Sequence, residues 1–326
     1  MNKLKDSEYA SNFTSNAVCP ICGISDAKFL IQKYDDRFGC PGLFDFFCCH
    51  DCNVAFLKNK ICKEKLPGLY EQYYASETVA GAKSILLRKI LKIFKLDNLI
   101  LNKLAGNIVL INEVGEEGKI LEIGSGFDKK TKEIIEEKSL NWTGLEVNKE
   151  CVDRIKRCKL SAYHGTIDDI SMIEEKFDKI ILSQALEHQY DVSVFFENCK
   201  KLLNPNGKII FTTPNFESRY RKKYRESWIG WHAPYHMILL SRAGIDTLCK
   251  KYGFEVIKYF TYTPTSWYML QRSFKIPQRG EINKGFSMNF SLISQFLISI
   301  FLRIIEKIKR NSGDCIYCEI KMLNNL

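Results

Sequence analysis

The sequence predicts an α/β chain: one doubly wound sheet, preceded by a small metal-stabilised module and a helical linker. Three observations carry this. From about Lys119 onward, short apolar runs of strand character alternate with helical stretches. A glycine turn, Gly124-Ser125-Gly126, separates the first of those runs from a helix. Two Cys-x-x-Cys pairs stand near the N-terminus on either side of a segment that reads as hairpins. The 326 residues leave room for a core domain of about 200 residues and a smaller module. The expected divisions are 1–65 for the metal module, 66–110 for the helical linker and 111–326 for the α/β domain, with a helical insertion at 263–313.

With 45% hydrophobic and 26% charged residues, the chain has enough apolar side chains for a packed core, which excludes wholesale disorder. Its formal net charge of +10 favours acidic partners such as phosphates, nucleotides, nucleic acid or anionic headgroups, without choosing among them. The opening residues, MNKLKDSEYASNFTSN, are polar and hold no apolar secretory run, so a cytoplasmic location is expected. There the thirteen cysteines are thiols or metal ligands and not a disulfide framework.

Cys19-Pro20-Ile21-Cys22-Gly23 and Cys49-His50-Asp51-Cys52-Asn53 have zinc-ribbon spacing. Two cysteines three apart converge on one ion if the chain turns sharply after the second. Gly23 and Asn53 tolerate the positive φ that such a turn needs. Four thiolates close a tetrahedral site, which makes the zinc structural, and its removal is expected to unfold the module while sparing the α/β core. Cys48 and His50 are neighbouring alternatives that would shift the ligand set by one position. Cys315 and Cys318 lie in a strand-like run, where residues three apart face opposite sides, and are read as core.

Residues 83–104 read as a basic amphipathic helix or two, with either the core or a membrane surface as its seat. A second amphipathic helix, at 287–310, repeats apolar pairs every four residues from Leu292 to Ile308. It is too short and too polar on one side to span a bilayer. The core, the 83–104 helix, a second subunit or the inner membrane face are its candidate seats.

Candidate strands are 119–123, 142–146, 178–182 and 208–212, with later ones near 255–260 and 314–323. Glycines alone are weak evidence for a nucleotide. Glu146, twenty residues after Gly126 at the end of the second strand, adds a carboxylate able to accept both ribose hydroxyls. A nicotinamide enzyme would use the same pair of features.

Further motifs follow in order. Glu122-Ile-Gly-Ser-Gly, Glu146, Gly165-Thr-Ile-Asp168-Asp169, Phe177-Asp-Lys-Ile-Ile-Leu-Ser183 and Leu202-Leu-Asn-Pro-Asn-Gly207 stand in sequence. Together they resemble the successive motifs of class I, Rossmann-like S-adenosylmethionine-dependent methyltransferases, over roughly residues 115 to 262. The resemblance implies a seven-stranded sheet of order 3-2-1-4-5-7-6 with its last strand antiparallel, at 314–323. It implies that Glu122, Gly124 and Gly126 surround the methionine part of the donor, that Glu146 holds the ribose, and that Asp168 with the Ile167 backbone meets the adenine. Ser183, closing the fourth strand, joins this donor set. Asp128 stands where the loop's third glycine is usual. The N-terminal half, with Leu69-Tyr70-Glu71-Gln72-Tyr73-Tyr74 after the cysteines, is similar to bacterial methyltransferases with a leading zinc ribbon. Such proteins are often linked to sugar and surface-polysaccharide biosynthesis.

Ligands of such sheets sit outside the carboxyl ends of the strands, so the segments after strands four and five should face the acceptor. These hold Glu187 and His188, then Asn215. A histidine near neutrality removes a hydroxyl proton as the methyl arrives, and His188, His232 and His236 are the candidates. No Asn/Asp-Pro-Pro-aromatic or Pro-Cys sequence follows strand four, which argues against base-amine and pyrimidine-carbon methylation. Residues 216–231 mix Arg219, Arg221 and other cations with Trp231 and further aromatics, suiting phosphate and sugar faces.

The expected function is O-methylation, with C-methylation second, of a small-molecule or glycan-type acceptor, anionic through a nucleotide or lipid-phosphate link. An RNA-modifying methyltransferase and a non-catalytic binding protein of the same fold are the alternatives.

Overall fold

The computed structural model describes residues 16–73, 115, 117–279 and 292–323. The first part holds β1 (Asn16–Ala17), β2 (Ala27–Lys33), β3 (Phe44–Cys49), β4 (Val54–Leu57) and α1 (Leu66–Gln72). Then come β5 (Lys119–Ile123), α2 (Lys129–Glu137), β6 (Asn141–Glu146), α3 (Lys149–Arg157), β7 (Ser161–His164), β8 (Phe177–Ser183), α4 (Val192–Leu202) and β9 (Leu203–Pro214). The last third holds α5 (Arg219–Tyr224), β10 (Ile238–Leu239), α6 (Arg242–Tyr252), β11 (Phe254–Tyr262), α7 (Thr265–Ser273), α8 (Leu292–Ile308) and β12 (Cys315–Met322). The predicted helix at 83–104 lies outside the described residues.

Seven strands form one sheet in the order β7-β6-β5-β8-β9-β12-β11. Numbered within the sheet this is 3-2-1-4-5-7-6, as the resemblance implies. The five strands β5 to β9 pair in parallel, while β12 runs antiparallel between β9 and β11. Central strands of a parallel sheet are buried on both faces and so read as unbroken apolar runs. Ile180, Ile181 and Leu182 of β8 and Ile209, Ile210 and Phe211 of β9 are such runs, all buried. Three of the helices start on side-chain caps as follows: Asp128 accepts from the Thr131 amide at 2.7 Å, Asn148 from Cys151 at 2.9 Å and Ser241 from Gly244 at 3.1 Å. Asp128 therefore trades a third glycine for a helix cap.

A second, antiparallel sheet has the order β1-β2-β3-β4-β10. Its fifth strand comes from far along the chain, pairing Ile238 with Phe56 and Leu239 with Ala55. The expected boundary at residue 65 is thus crossed by a sheet, and the N-terminal module shares its core with the α/β domain. Val54 and Phe56 pack with Ile238, Leu240 and Ile245 on one face, and Phe46 and Leu57 with Trp228, Trp231 and Tyr235 on the other.

Cys315 and Cys318 are buried on opposite faces of β12, in separate core clusters. On α8, Leu302 is buried while Leu297, Ile300, Phe301, Ile304 and Ile308 are exposed. Among the described residues no helix is long and apolar enough to cross a membrane.

Candidate active site

At the carboxyl end of β5 the chain turns through Gly124 (φ 67°) and Gly126 (φ 49°), a left-handed backbone that glycine adopts without strain. Both glycines are exposed, and a Cβ on Gly126 would meet nothing within 4 Å. The turn is tied to the next strand. Gly124 N donates to Leu145 O at 2.9 Å, and Gly126 N donates to Glu146 Oε2 at 3.1 Å. Glu146 Oε1 accepts from the Val147 and Asn148 amides at 2.8 and 3.2 Å. The carboxylate thus clamps the turn while keeping further lone pairs. Ser125 Oγ, buried at the same turn, has no hydrogen-bond partner among the described residues.

Glu122 lies beneath this turn and is wholly buried. Its Oε2 accepts from Trp142 Nε1 at 2.8 Å, and burial pushes its carboxyl up to about 8. Asp168 pairs with Lys63 at 2.6 Å, and the Ile167 carbonyl accepts from Asn198 at 2.8 Å. Ser183 is half-buried at the end of β8. The structure brings the glycine turn, Glu122 and Glu146 together, whereas the carboxylate of Asp168 is engaged by the N-terminal module.

The turn after β8 approaches the glycine turn: a Cβ on Gly124 would lie 3.1 Å from Ala185 Cβ. Three residues on is His188, whose ring sits 4.8 Å from His236, itself 4.8 Å from His232. Three of the chain's five histidines, distant in sequence, therefore meet in one cluster. Glu187 is fully buried among them: Thr213 Oγ1 donates to Oε2 at 2.9 Å, and Oε1 has no hydrogen-bond partner among the described residues. Burial pushes Glu187 up to about 8 and His188 down to about 4, the latter helped by Arg37. His232 and His236 are driven down by burial as well, so all three rings are neutral at neutral pH.

The N-terminal module supplies the rest of the wall. Tyr70 of α1 places its hydroxyl 3.1 Å from His188 Nδ1, and Phe38 packs on His232 at 5.6 Å. Asp35 accepts from the amides of Arg37, Phe38 and Cys40, shaping the loop after β2, and from Tyr235 Oη at 3.3 Å. None of Tyr70, Arg37 or Asp35 was among the expected site residues. Tyr70 lies in the aromatic stretch after the cysteines, but Asp35 and Arg37 form no motif.

Other expected acceptor residues are used by the fold. Asn215 is buried, donating to Gly313 O at 2.8 Å and accepting from Glu217 N at 2.9 Å. Trp231, 3% exposed, donates to Arg225 O and packs on Phe46, so it offers no open face to a sugar. Arg219 and Arg221 lie over the rings of Tyr220 and Phe216, at 4.5 and 4.0 Å, and bond to Tyr220 Oη and Phe216 O. Asn215 and Trp231 are thus held inside the fold, while the half-buried Arg219 and Arg221 bond to neighbouring groups. The exposed cations of the run are Lys222, Lys223 and Arg225.

Cys19, Cys22, Cys49 and Cys52 bring their sulfurs within 4.8 Å of one another, with Cys22 and Cys49 3.6 Å apart. Thiolates around one zinc stand about 3.8 Å apart, so the set fits. Gly23 and Asn53 take positive φ of 79° and 50°. Cys48 belongs to the core cluster on the other face of β3, and His50 is exposed.

Residues 99–259 match the family described as a methyltransferase domain. A curated protein from Mycolicibacterium smegmatis, described as a probable S-adenosylmethionine-dependent methyltransferase, is 24% identical over 139 residues, 42% of this chain and 52% of that one. The chain thus spans about half the length of this curated relative. Among solved structures, it is similar to S-adenosylmethionine-dependent methyltransferases from Thermotoga maritima (TM-score 0.43, 14% identity, 73% of this chain and 95% of that one) and Archaeoglobus fulgidus (TM-score 0.43, 14% identity, 72% and 99%). With the motifs in order on a 3-2-1-4-5-7-6 sheet and the family match over residues 99–259, this part of the chain is a class I, Rossmann-like S-adenosylmethionine-dependent methyltransferase domain.

Proposed function

We propose that the protein transfers the methyl group to a hydroxyl of a small or glycan-type acceptor seated over the histidine pocket. The observation that carries this is the close packing of Ala185 on the glycine turn, where a Cβ on Gly124 would lie 3.1 Å from Ala185 Cβ, with His188 three residues further on. S-adenosylmethionine, when bound, supplies a methyl on a sulfonium, and transfer forms the O–CH3 bond as the S–CH3 bond breaks. Gly124 and Gly126 let the backbone approach the donor, and Glu146 accepts from the ribose hydroxyls. The half-buried His188 presents a neutral imidazole to the acceptor, so the hydroxyl proton passes to the cluster as the methyl arrives.

Tyr70 and Phe38 offer aromatic faces of the kind that pack on sugars, and Arg37 is a cation for a phosphate-linked acceptor. The four cysteines hold one structural zinc in this reading. The test is transfer of labelled methyl to a panel of free, nucleotide-linked and lipid-phosphate-linked sugars. His188→Ala should lower kcat by roughly a hundredfold or more, the scale of general-base catalysis, with donor affinity unchanged. Parental turnover in that variant would refute the assignment, and methylation of RNA in place of sugars would refute the acceptor class.

A further inference from the structure

We propose that Glu187, His188 and His236 form a second divalent-cation site, separate from the four cysteines and open towards the acceptor. It deepens the hydroxyl-methylation reading, on which only its role rests. The ligand atoms of these three side chains lie within 4.8 Å of one another.

The close pair is the informative one. His236 Nδ1 is 2.8 Å from Gly230 O. A carbonyl only accepts, so Nδ1 carries the proton, and the neutral ring turns the bare lone pair of Nε2 towards Glu187. Nε2 and Glu187 Oε1 are 3.8 Å apart, too far for a hydrogen bond. Two buried atoms thus face each other across a gap, and Oε1 has no hydrogen-bond partner among the described residues. A cation about 2.1 Å from each atom bridges gaps of about 3.4 to 4.2 Å, so it fits between them without rearrangement.

The surroundings resemble the supporting shell of a metal centre. A backbone carbonyl orients His236, and the Thr213 hydroxyl holds the other oxygen of Glu187 at 2.9 Å. Tyr70 Oη and the Tyr235 backbone position the His188 ring, and the ion would take one of those two places. The ligand set of two imidazoles and one carboxylate suits a first-row divalent ion such as zinc, cobalt or manganese better than magnesium or calcium. Three protein ligands leave positions open, the pattern of an ion that binds a substrate oxygen. The nearby Arg37 cation opposes the ion's charge, and the Glu187 carboxylate offsets it. His232 lies outside the ligand set, its ring 4.8 Å from that of His236.

The full chain, with zinc on its cysteines and excess removed, is titrated with Co2+ and followed by visible absorption and elemental analysis. One further cobalt per chain is expected, with ligand-field bands but no thiolate charge-transfer band. Glu187→Gln, which keeps an oxygen for Thr213, should weaken binding roughly tenfold or more, and His236→Ala should abolish it. His50→Ala, altering an exposed histidine, should leave it unchanged. Circular dichroism melting confirms that each variant is folded. No cobalt beyond the cysteine zinc, cobalt that survives both pocket substitutions, or cobalt with a thiolate band overturns the proposal. Methyl transfer is assayed on the same preparations. Transfer to a hydroxyl without a cobalt site removes the ion alone, while a cobalt site without hydroxyl methylation removes the acceptor reading alone.

Discussion

Glu122 ends up beneath the donor turn because β5 alternates its side chains and the sheet buries both faces, and among the described residues Trp142 Nε1 donates to its carboxyl. Its carboxyl is raised from 4.5 to about 8. Below pH 4.5 the folded and unfolded chains are both protonated. Between about 4.5 and 8 the unfolded chain has released the proton and the fold has kept it, so stability falls as pH rises through that window. The slope approaches about 1.4 kcal/mol per pH unit for one such group. Glu187, raised to a similar value, adds slope of the same sign. Glu122→Gln, which keeps the acceptor for Trp142, should therefore flatten the pH dependence of the urea midpoint across this window. An unchanged slope would mean that Glu122 ionises as freely in the fold as out of it. At this scale the sequence was most legible where chemistry demands a residue type at a fixed offset: Gly124, Gly126 and Glu146 are joined by the Gly126–Glu146 hydrogen bond. It was least legible for Trp231 and Asn215, both buried, because composition cannot tell an aromatic or an amide facing a ligand from one packed inside the fold.

At the scale of elements, the docking of α6 onto the cysteine module is a tight contact. A Cβ on Gly244 would lie 2.3 Å from Val54 Cγ1, and Ser241, the helix cap, also donates to Cys52 O at 3.1 Å. Gly244→Ala should destabilise the fold by about 1–3 kcal/mol, the cost of overpacking a core, even though alanine raises helix propensity. Thermal melting showing a gain in stability would place this interface elsewhere. The six candidate strands of the large sheet were visible because each is an apolar run bounded by turn residues. β10 was not visible, being only Ile238 and Leu239, too short for any periodicity and defined by its pairing with β4. The consequence of missing it is structural: the module's sheet is completed by the chain segment that directly follows His236.

For the whole molecule, that shared sheet links the four-cysteine site to the histidine cluster. One zinc per chain is expected by elemental analysis, and removing it with a chelator should abolish methyl transfer as well as unfold β1 to β4. Tyr70, Arg37 and Phe38 reach the histidine pocket from the module, and Lys63 reaches Asp168. Full activity in the zinc-free protein would show that the α/β domain needs no such support. The domain order was legible from cysteine spacing and the glycine turn, but the mutual burial of the two parts was not, since contacts between segments some 200 residues apart leave no local pattern. The proposed donor site is formed by Gly124–Gly126 and Glu146. Calorimetric titration of the parent protein with S-adenosylmethionine tests it most directly. One donor should bind per chain, and Glu146→Ala should weaken that binding by about 1–3 kcal/mol, the scale of charge-assisted hydrogen bonds. No binding by the parent, or equal binding by the variant, would contradict the account.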